Sequence, residues 1–352
     1  MRLLLIMISL WQITSCRSVE KSHPMSLGFE RELSEKDLNE GLTEVVATKK
    51  GSYNYKTLSY GAWVNHLAYQ SRFSRQLMVE TAVASGLNTL YPVAFRYGCG
   101  YFKSDIIPSC HRHDKMPLER FLHDIWRQNP EIHGLVWFER ILAVPYGFEN
   151  TEGRDASWID KDAGDFDGFQ VLDVDNAEVR SFLLTALVEA ALIPGVSGVH
   201  IDDHLAFPQT YRAKDKLTRF VRYITKAFKD RMEALGRKSI FEISHHPERH
   251  ALTYHADWRS WPVDRVIVQC YKLPEKIKQG ACEETANIYG LGIAYRFRPG
   301  GGEAWRELTM TEVTDVYKYA KDRKKSLIIF DLSGLAAHKD KLGPLKALLN
   351  QN

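Results

Sequence analysis

A single (β/α)8 TIM barrel is the fold that the sequence predicts, and three observations point to it. From Tyr60 onward, short apolar runs rich in β-branched and aromatic residues alternate with helical patterns. Eight such runs can be counted over roughly 290 residues, the count and length that a closed parallel barrel needs. The alternative is a doubly wound open sheet, which usually carries a glycine-rich phosphate loop after its first strand. None follows the first run here, and Gly300-Gly301-Gly302 comes far too late for that role.

The chain opens with Met1-Arg2, an apolar stretch from Leu3 to Trp11, and Ile13-Thr14-Ser15-Cys16. That pattern reads as an export signal, and its apolar run is too short for a permanent membrane span. Because it ends in Cys, residues 1–16 are expected to act as a lipoprotein-type signal that leaves an acylated Cys16 as membrane anchor. A soluble secreted protein cut near the same place is the alternative. Ser18 stands where an Asp often retains lipoproteins at the inner membrane, so the outer membrane is favoured in a host with two. Residues 17–55 are polar and rich in Lys, Glu and Ser, as befits a tether, with one short helix expected over 32–41. The barrel then occupies 56–352. Its strands are expected at 61–67, 89–95, 134–139, 198–202, 239–244, 265–271, 291–295 and 326–331. Helical patterns between them cover 75–85, 118–127, 177–192, 214–235 and 310–322.

Composition narrows the function. Of 352 residues, 47 are basic and 44 acidic, and a net charge of +3 is too small and dispersed to serve as a footprint for nucleic acid. Eight Trp and 16 Tyr suit sugar-stacking surfaces and barrel cores alike. The cysteines beyond Cys16 are Cys99, Cys110, Cys270 and Cys282, with no spacing of a zinc site, so neither a metal nor another cofactor is expected. Export permits disulfides. Cys270, between two inward-facing residues, should point outward, where it can meet Cys282. A monomer is expected.

Barrel enzymes place their sites at the C-terminal ends of the strands. The polar and aromatic residues that fall there are Trp63 and Asn65, Arg96, Trp137 and Glu139, Asp202 and Asp203, Glu242 and Ser244, Gln269 and Tyr271, and Asp331. Side chains alternate along a strand. With Val199 and Ile201 packed outward, His200 and Asp202 should point into the mouth and Asp203 away from it, towards the loop. Cleaving a glycosidic bond takes two carboxyl groups, one protonated to assist the leaving oxygen and one ionised. Glu139 and Asp202, on adjacent strands, are the first choice for that pair, with Glu242 and Asp203 next. Apolar and aromatic neighbours around Glu139 should raise its pKa and make it the acid. Glu242 is equally expected to lie one layer deeper, paired with Arg96 or His200. Trp63, Asn65, Arg96, Trp137, His200, His204, Gln269 and Tyr271 are the candidate sugar contacts.

At these residues the chain resembles the glycosyl-hydrolase-like family 10 group of bacterial barrels, which includes lipoproteins that cut peptidoglycan strands stripped of their peptides. The similar segments are Leu87-Asn88-Thr89-Leu90-Tyr91-Pro92 with Tyr101-Phe102-Lys103-Ser104 and Pro108, then Val136-Trp137-Phe138-Glu139. They continue with Gly198-Val199-His200-Ile201-Asp202-Asp203-His204 and Pro208, Asp257-Trp258-Arg259-Ser260-Trp261, and Val268-Gln269-Cys270-Tyr271. The resemblance implies a barrel glycosidase of the cell envelope. This chain departs from it at Glu242-Ile243-Ser244-His245-His246-Pro247, where relatives commonly carry Ser-Ile-Ser-Pro, and its loops after the third and fourth strands look short.

Two readings therefore compete. One is a glycoside hydrolase on a cell-envelope glycan, such as peptide-free peptidoglycan, or on another polysaccharide. The other is a catalytically inactive carbohydrate-binding lipoprotein on the same barrel. A metal-dependent hydrolase using His111, His113, His204, His245 and His246 ranks last, because their spacing is irregular.

Overall fold

The computed structural model describes residues 58–350 except 70, 112–113, 115, 212–214, 280–281, 283–289, 295 and 298–305. The expected signal, Cys16, the tether and the helix over 32–41 lie outside the described residues, as do His113 and Tyr295.

Eight parallel strands form the barrel wall: β1 (Tyr60–Val64), β2 (Thr89–Arg96), β3 (His133–Glu139), β4 (Val196–Ile201), β5 (Ile240–His245), β6 (Arg265–Gln269), β7 (Gly290–Ala294) and β8 (Ser326–Phe330). Each pairs with its sequence neighbours, and β8 returns to β1, which closes the sheet. Around it run α1 (Arg72–Ser85), α2 (Pro117–Gln128), α3 (Ala177–Leu192), α4 (Lys216–Ala234), α5 (Glu248–Thr253), α6 (Pro274–Lys278), α7 (Met310–Asp322), α8 (Leu332–Ala336) and α9 (Gly343–Leu349). None of the described helices is long and apolar enough to cross a membrane. Strands of an all-parallel sheet are buried on both faces, which explains why they read as continuous apolar runs.

Local chemistry sets where the elements begin and end. Ser71 and Ser74 form a capping box at the start of α1, and Gly86, at φ +73°, ends that helix. α4 buries Leu217, Phe220, Val221, Ile224, Phe228 and Met232, one face at helical spacing, and leaves most of its charged residues outside. Several strands stop earlier than expected. β1 ends at Val64 because the Asn65 Oδ1 accepts from the Leu67 N–H at 3.1 Å and its carbonyl from Ala68 at 2.9 Å, starting a 3-10 turn. β6 ends at Gln269, with Cys270 turned outward into a disulfide to Cys282. β8 ends at Phe330, and Asp331 caps α8 through the N–H groups of Ser333 and Gly334 rather than serving the mouth.

The loop after β3 is not short. Residues 140–176 fold into a small antiparallel sheet of Ala143–Val144, Asp165–Phe166 and Phe169–Val171. Lys216 at the start of α4 holds this insertion, donating to Asp160 and Asp173 at 2.7 Å each, while Tyr211 donates to Asp160 at 2.8 Å. A second disulfide, Cys99–Cys110, closes the loop after β2.

Candidate active site

The floor of the mouth is a polar knot set in aromatic rings. Trp63, 1% exposed, packs against Tyr91, Trp137, His200 and Phe330 with ring centroids 5.7–6.5 Å apart. Its ring reaches across to β7, where a Cβ on Gly292 would meet it at 2.7 Å, so only glycine fits there. The Trp63 Nε1 donates to the His200 Nε2 at 3.1 Å, and an indole can only donate. The network therefore assigns the His200 hydrogen to Nδ1, which donates to the Glu242 Oε1 at 2.9 Å. Arg265 lies 3.7 Å from the other Glu242 oxygen. His200 and Glu242 are both fully buried. Trp63, His200 and Glu242 are thus bonded to one another in the floor of the mouth, where the sequence expectation has the first two as sugar contacts and Glu242 as a second-choice catalytic carboxylate. The expected depth of Glu242 and its pairing with His200 are as found; Arg96 is not its partner.

Ser244 carries the network upward. Its Oγ lies 3.1 Å from the His200 Nε2 and accepts from the Gln269 Nε2 at 3.2 Å, and the same Gln269 nitrogen donates to the Asp203 Oδ1 at 3.0 Å. The other Asp203 oxygen pairs with the His246 Nε2 at 2.8 Å. Asp203 therefore turns into the mouth instead of away from it. The alternation rule lapses there because β4 ends at Ile201, two residues before Asp203.

Asp202 accepts at both oxygens. Its Oδ1 takes the backbone N–H groups of His204 at 3.1 Å and Arg140 at 3.4 Å, and its Oδ2 pairs with the His204 Nδ1 at 3.1 Å. His204 also lies 3.5 Å from Asp203. Burial works against a charge on His204, but Asp202 and Asp203 outweigh it and lift its pKa to about 9. Burial likewise opposes charge on Asp203, yet His204 and His246 hold it well below the usual carboxylate range. One ligand atom from each of Asp202, Asp203 and His204 lies within 4.8 Å of the others, an arrangement in which protonated His204 already supplies the positive charge.

Glu139 behaves in the opposite way. Strand register brings Trp137 opposite His200 and Phe138 opposite Ile201, so Glu139 ends β3 level with Asp202. Burial raises its pKa, Arg96 pulls it down and Asp202 pushes it up; the outcome is a raised value. Arg96 forms an ion pair with it at 3.2 Å without hydrogen-bond alignment, so this arginine serves the carboxyl group.

Around the rim, Tyr271 is 36% exposed and faces Asp202 and Asp203, whereas Trp137 is only 4% exposed. Besides the ion-paired Arg96 Nε and Glu139 Oε2, the Trp137 Nε1 and the Gln269 Oε1 in the mouth lack a hydrogen-bond partner among the described residues. A buried donor and acceptor left open are costly unless a bound molecule satisfies them. Of the histidines weighed as metal ligands, His113 lies outside the described residues; the His245 Nδ1 accepts from the His246 N–H at 3.0 Å, its Nε2 lies 3.4 Å from the Leu205 carbonyl, and the His111 Nδ1 accepts from the Asp114 N–H at 2.9 Å. Sequence reasoning missed Arg140, whose contribution to Asp202 is a backbone N–H that no residue type announces.

No protein-family model matches the chain, and no curated protein matches it either. Solved structures do. The PgaB (BpsB) glycoside hydrolase domain from Bordetella bronchiseptica matches with a TM-score of 0.59 at 10% identity, over 84% of this chain and 100% of that one. A family GH18 chitinase from Cycas revoluta matches at 0.52 and 12% identity, over 82% and 98%. The GH36 α-galactosidase AgaA from Geobacillus stearothermophilus matches at 0.53 and 11% identity, over 89% of this chain and 45% of the larger enzyme. At such identities the likeness is one of fold: the chain is a (β/α)8 TIM barrel similar to those of glycoside hydrolases.

Proposed function

We propose that the chain is a glycoside hydrolase that cleaves glycosidic bonds in a cell-envelope glycan or related polysaccharide, with Glu139 as general acid and Asp202 as the ionised partner. The observation that carries this reading is the division of the carboxylates at one barrel mouth. Glu139 has a raised pKa, while Asp202, level with it just past the end of the next strand, receives only N–H donors. Glu139 gives its proton to the glycosidic oxygen as the bond to C1 breaks, and Asp202 attacks C1 or takes the proton of an attacking water. Trp137 and Gln269 offer an open donor and acceptor to sugar hydroxyls, and Tyr271 an exposed ring face.

Glycoside hydrolase domains among the matching folds support the reaction class, and the N-terminal signal pattern supports export and lipid anchoring at Cys16. Incubation with peptide-free peptidoglycan strands and a panel of polysaccharides, read by mass spectrometry, tests the activity. At least one glycan should yield shorter oligosaccharides, and Glu139→Gln and Asp202→Asn should each lower the rate by at least about a hundredfold. Binding of a glycan without cleavage would identify a carbohydrate-binding barrel instead.

A further inference from the structure

Three of the five non-glycine residues with positive φ among the described residues, Tyr97, Arg140 and Asp167, meet at one place on the rim. Such backbone persists only where the surroundings over-determine it. The surroundings here are a ring pair. Tyr97, just beyond β2, stacks on Phe169 of the inserted sheet with centroids 4.1 Å apart and planes 10° from parallel. The Arg96 guanidinium lies 4.6 Å from the Tyr97 ring centre, and one of its nitrogens donates to the Tyr97 hydroxyl at 3.3 Å. The Arg140 guanidinium lies 5.8 Å from both ring centres and pairs with Asp167 at 3.4 Å. Each arginine also serves one carboxylate of the mouth. Arg96 is paired with Glu139, and Arg140 directs its backbone N–H at Asp202.

We propose that the stacked Tyr97–Phe169 pair is a positioning element that holds Arg96 against Glu139 and Arg140 against Asp202. The proposal rests on the reading that these carboxylates react. Neither ring need touch substrate for this role. Cation–π contact with Tyr97 restricts the Arg96 side chain, which would otherwise sample many rotamers, while the ring contacts and the Asp167 ion pair anchor the Arg140 side chain and so steady the left-handed residue whose backbone N–H meets Asp202. The groups that bear on the charge of Glu139 are Arg96, Arg140, Asp202 and His204, with the phenols of Tyr69 and Tyr101 nearby. Both arginines favour the ionised form, so releasing them should leave Glu139 harder to ionise.

The test uses the full chain labelled with 13C at glutamate Cδ, the Glu139 signal being assigned by its absence in Glu139→Gln. Phe169→Ala should shift the Glu139 titration upward by about one pH unit, the order of the effect of one nearby cation. Phe169→Leu, which keeps apolar volume but no ring face, should shift it in the same direction and remains informative if the alanine variant fails to fold. Phe169→Tyr should restore the wild-type titration. An unchanged titration in a folded Phe169→Leu or Phe169→Ala protein overturns the proposal. This readout needs no substrate, so a failure here is distinguishable from a failure to find glycan cleavage. Where a cleaved glycan is in hand, the basic limb of kcat/KM should move upward with the titration.

Discussion

Glu139 ends β3, Asp202 and Asp203 follow the end of β4, and Glu242 lies inside β5; depth and partners give each a different task. Glu242 is the deepest, and its bond to His200 orients the imidazole that receives the Trp63 N–H. Glu242→Gln should therefore cost about 1–3 kcal/mol of stability, the cost of disturbing a buried hydrogen bond, with KM for a cleaved glycan unchanged. Urea unfolding measures the first and steady-state kinetics the second; a large rise in KM would return Glu242 to the substrate. His204 is the charged counterpart nearer the surface. Its pKa in the folded chain is raised from 6.5 to about 9, so its stabilising effect is complete below pH 6.5 and is lost as the pH rises through about 9. The difference in Tm between wild type and His204→Gln should accordingly be widest at acid pH and shrink across that window. A difference independent of pH would assign His204 to packing alone.

At the scale of elements, two irregularities in the barrel wall aim these side chains. The β2–β3 register slips between Val93 and Phe95, which brings Arg96 opposite Glu139; unbroken register would have placed Phe95 there. A second slip between β3 and β4, at Gly134 and Leu135, aligns Trp137 with His200. Bulges of this kind commonly re-aim side chains beside active sites. The disulfides act on neighbouring segments, Cys99–Cys110 in the loop that follows Arg96 and Cys270–Cys282 after β6. With a sequence separation of 11, the first should contribute about 3 kcal/mol by restricting the unfolded chain. A Cys99→Ala, Cys110→Ala double variant should lower the denaturation midpoint accordingly, and an unchanged midpoint would show that the loop is held by its other contacts.

For the whole molecule, the eight-fold alternation was legible because a buried parallel strand needs a continuous apolar run, and helices such as α3 and α7 began and ended where their patterns did. Strand ends were less legible. Side chains such as Asn65 and Asp331 can extend a strand or cap the next turn, and only tertiary contacts decide. The carboxylates can be named from their strands, but the direction of Asp203 cannot, because alternation holds only inside a strand and β4 ends at Ile201. The Tyr97–Phe169 stack depends on positive φ and on the folding of residues 140–176, neither of which apolar periodicity reveals. The division of labour between Glu139 and Asp202 is the claim on which the rest depends. It is tested most directly by turnover of a dinitrophenyl glycoside of the sugar that the enzyme releases, since this leaving group departs without protonation. Glu139→Gln should lose activity on the natural glycan yet keep turnover on the activated glycoside within about tenfold of wild type, whereas Asp202→Asn should lose both. Equal loss of both substrates in Glu139→Gln, or full activity in Asp202→Asn, would contradict the assignment.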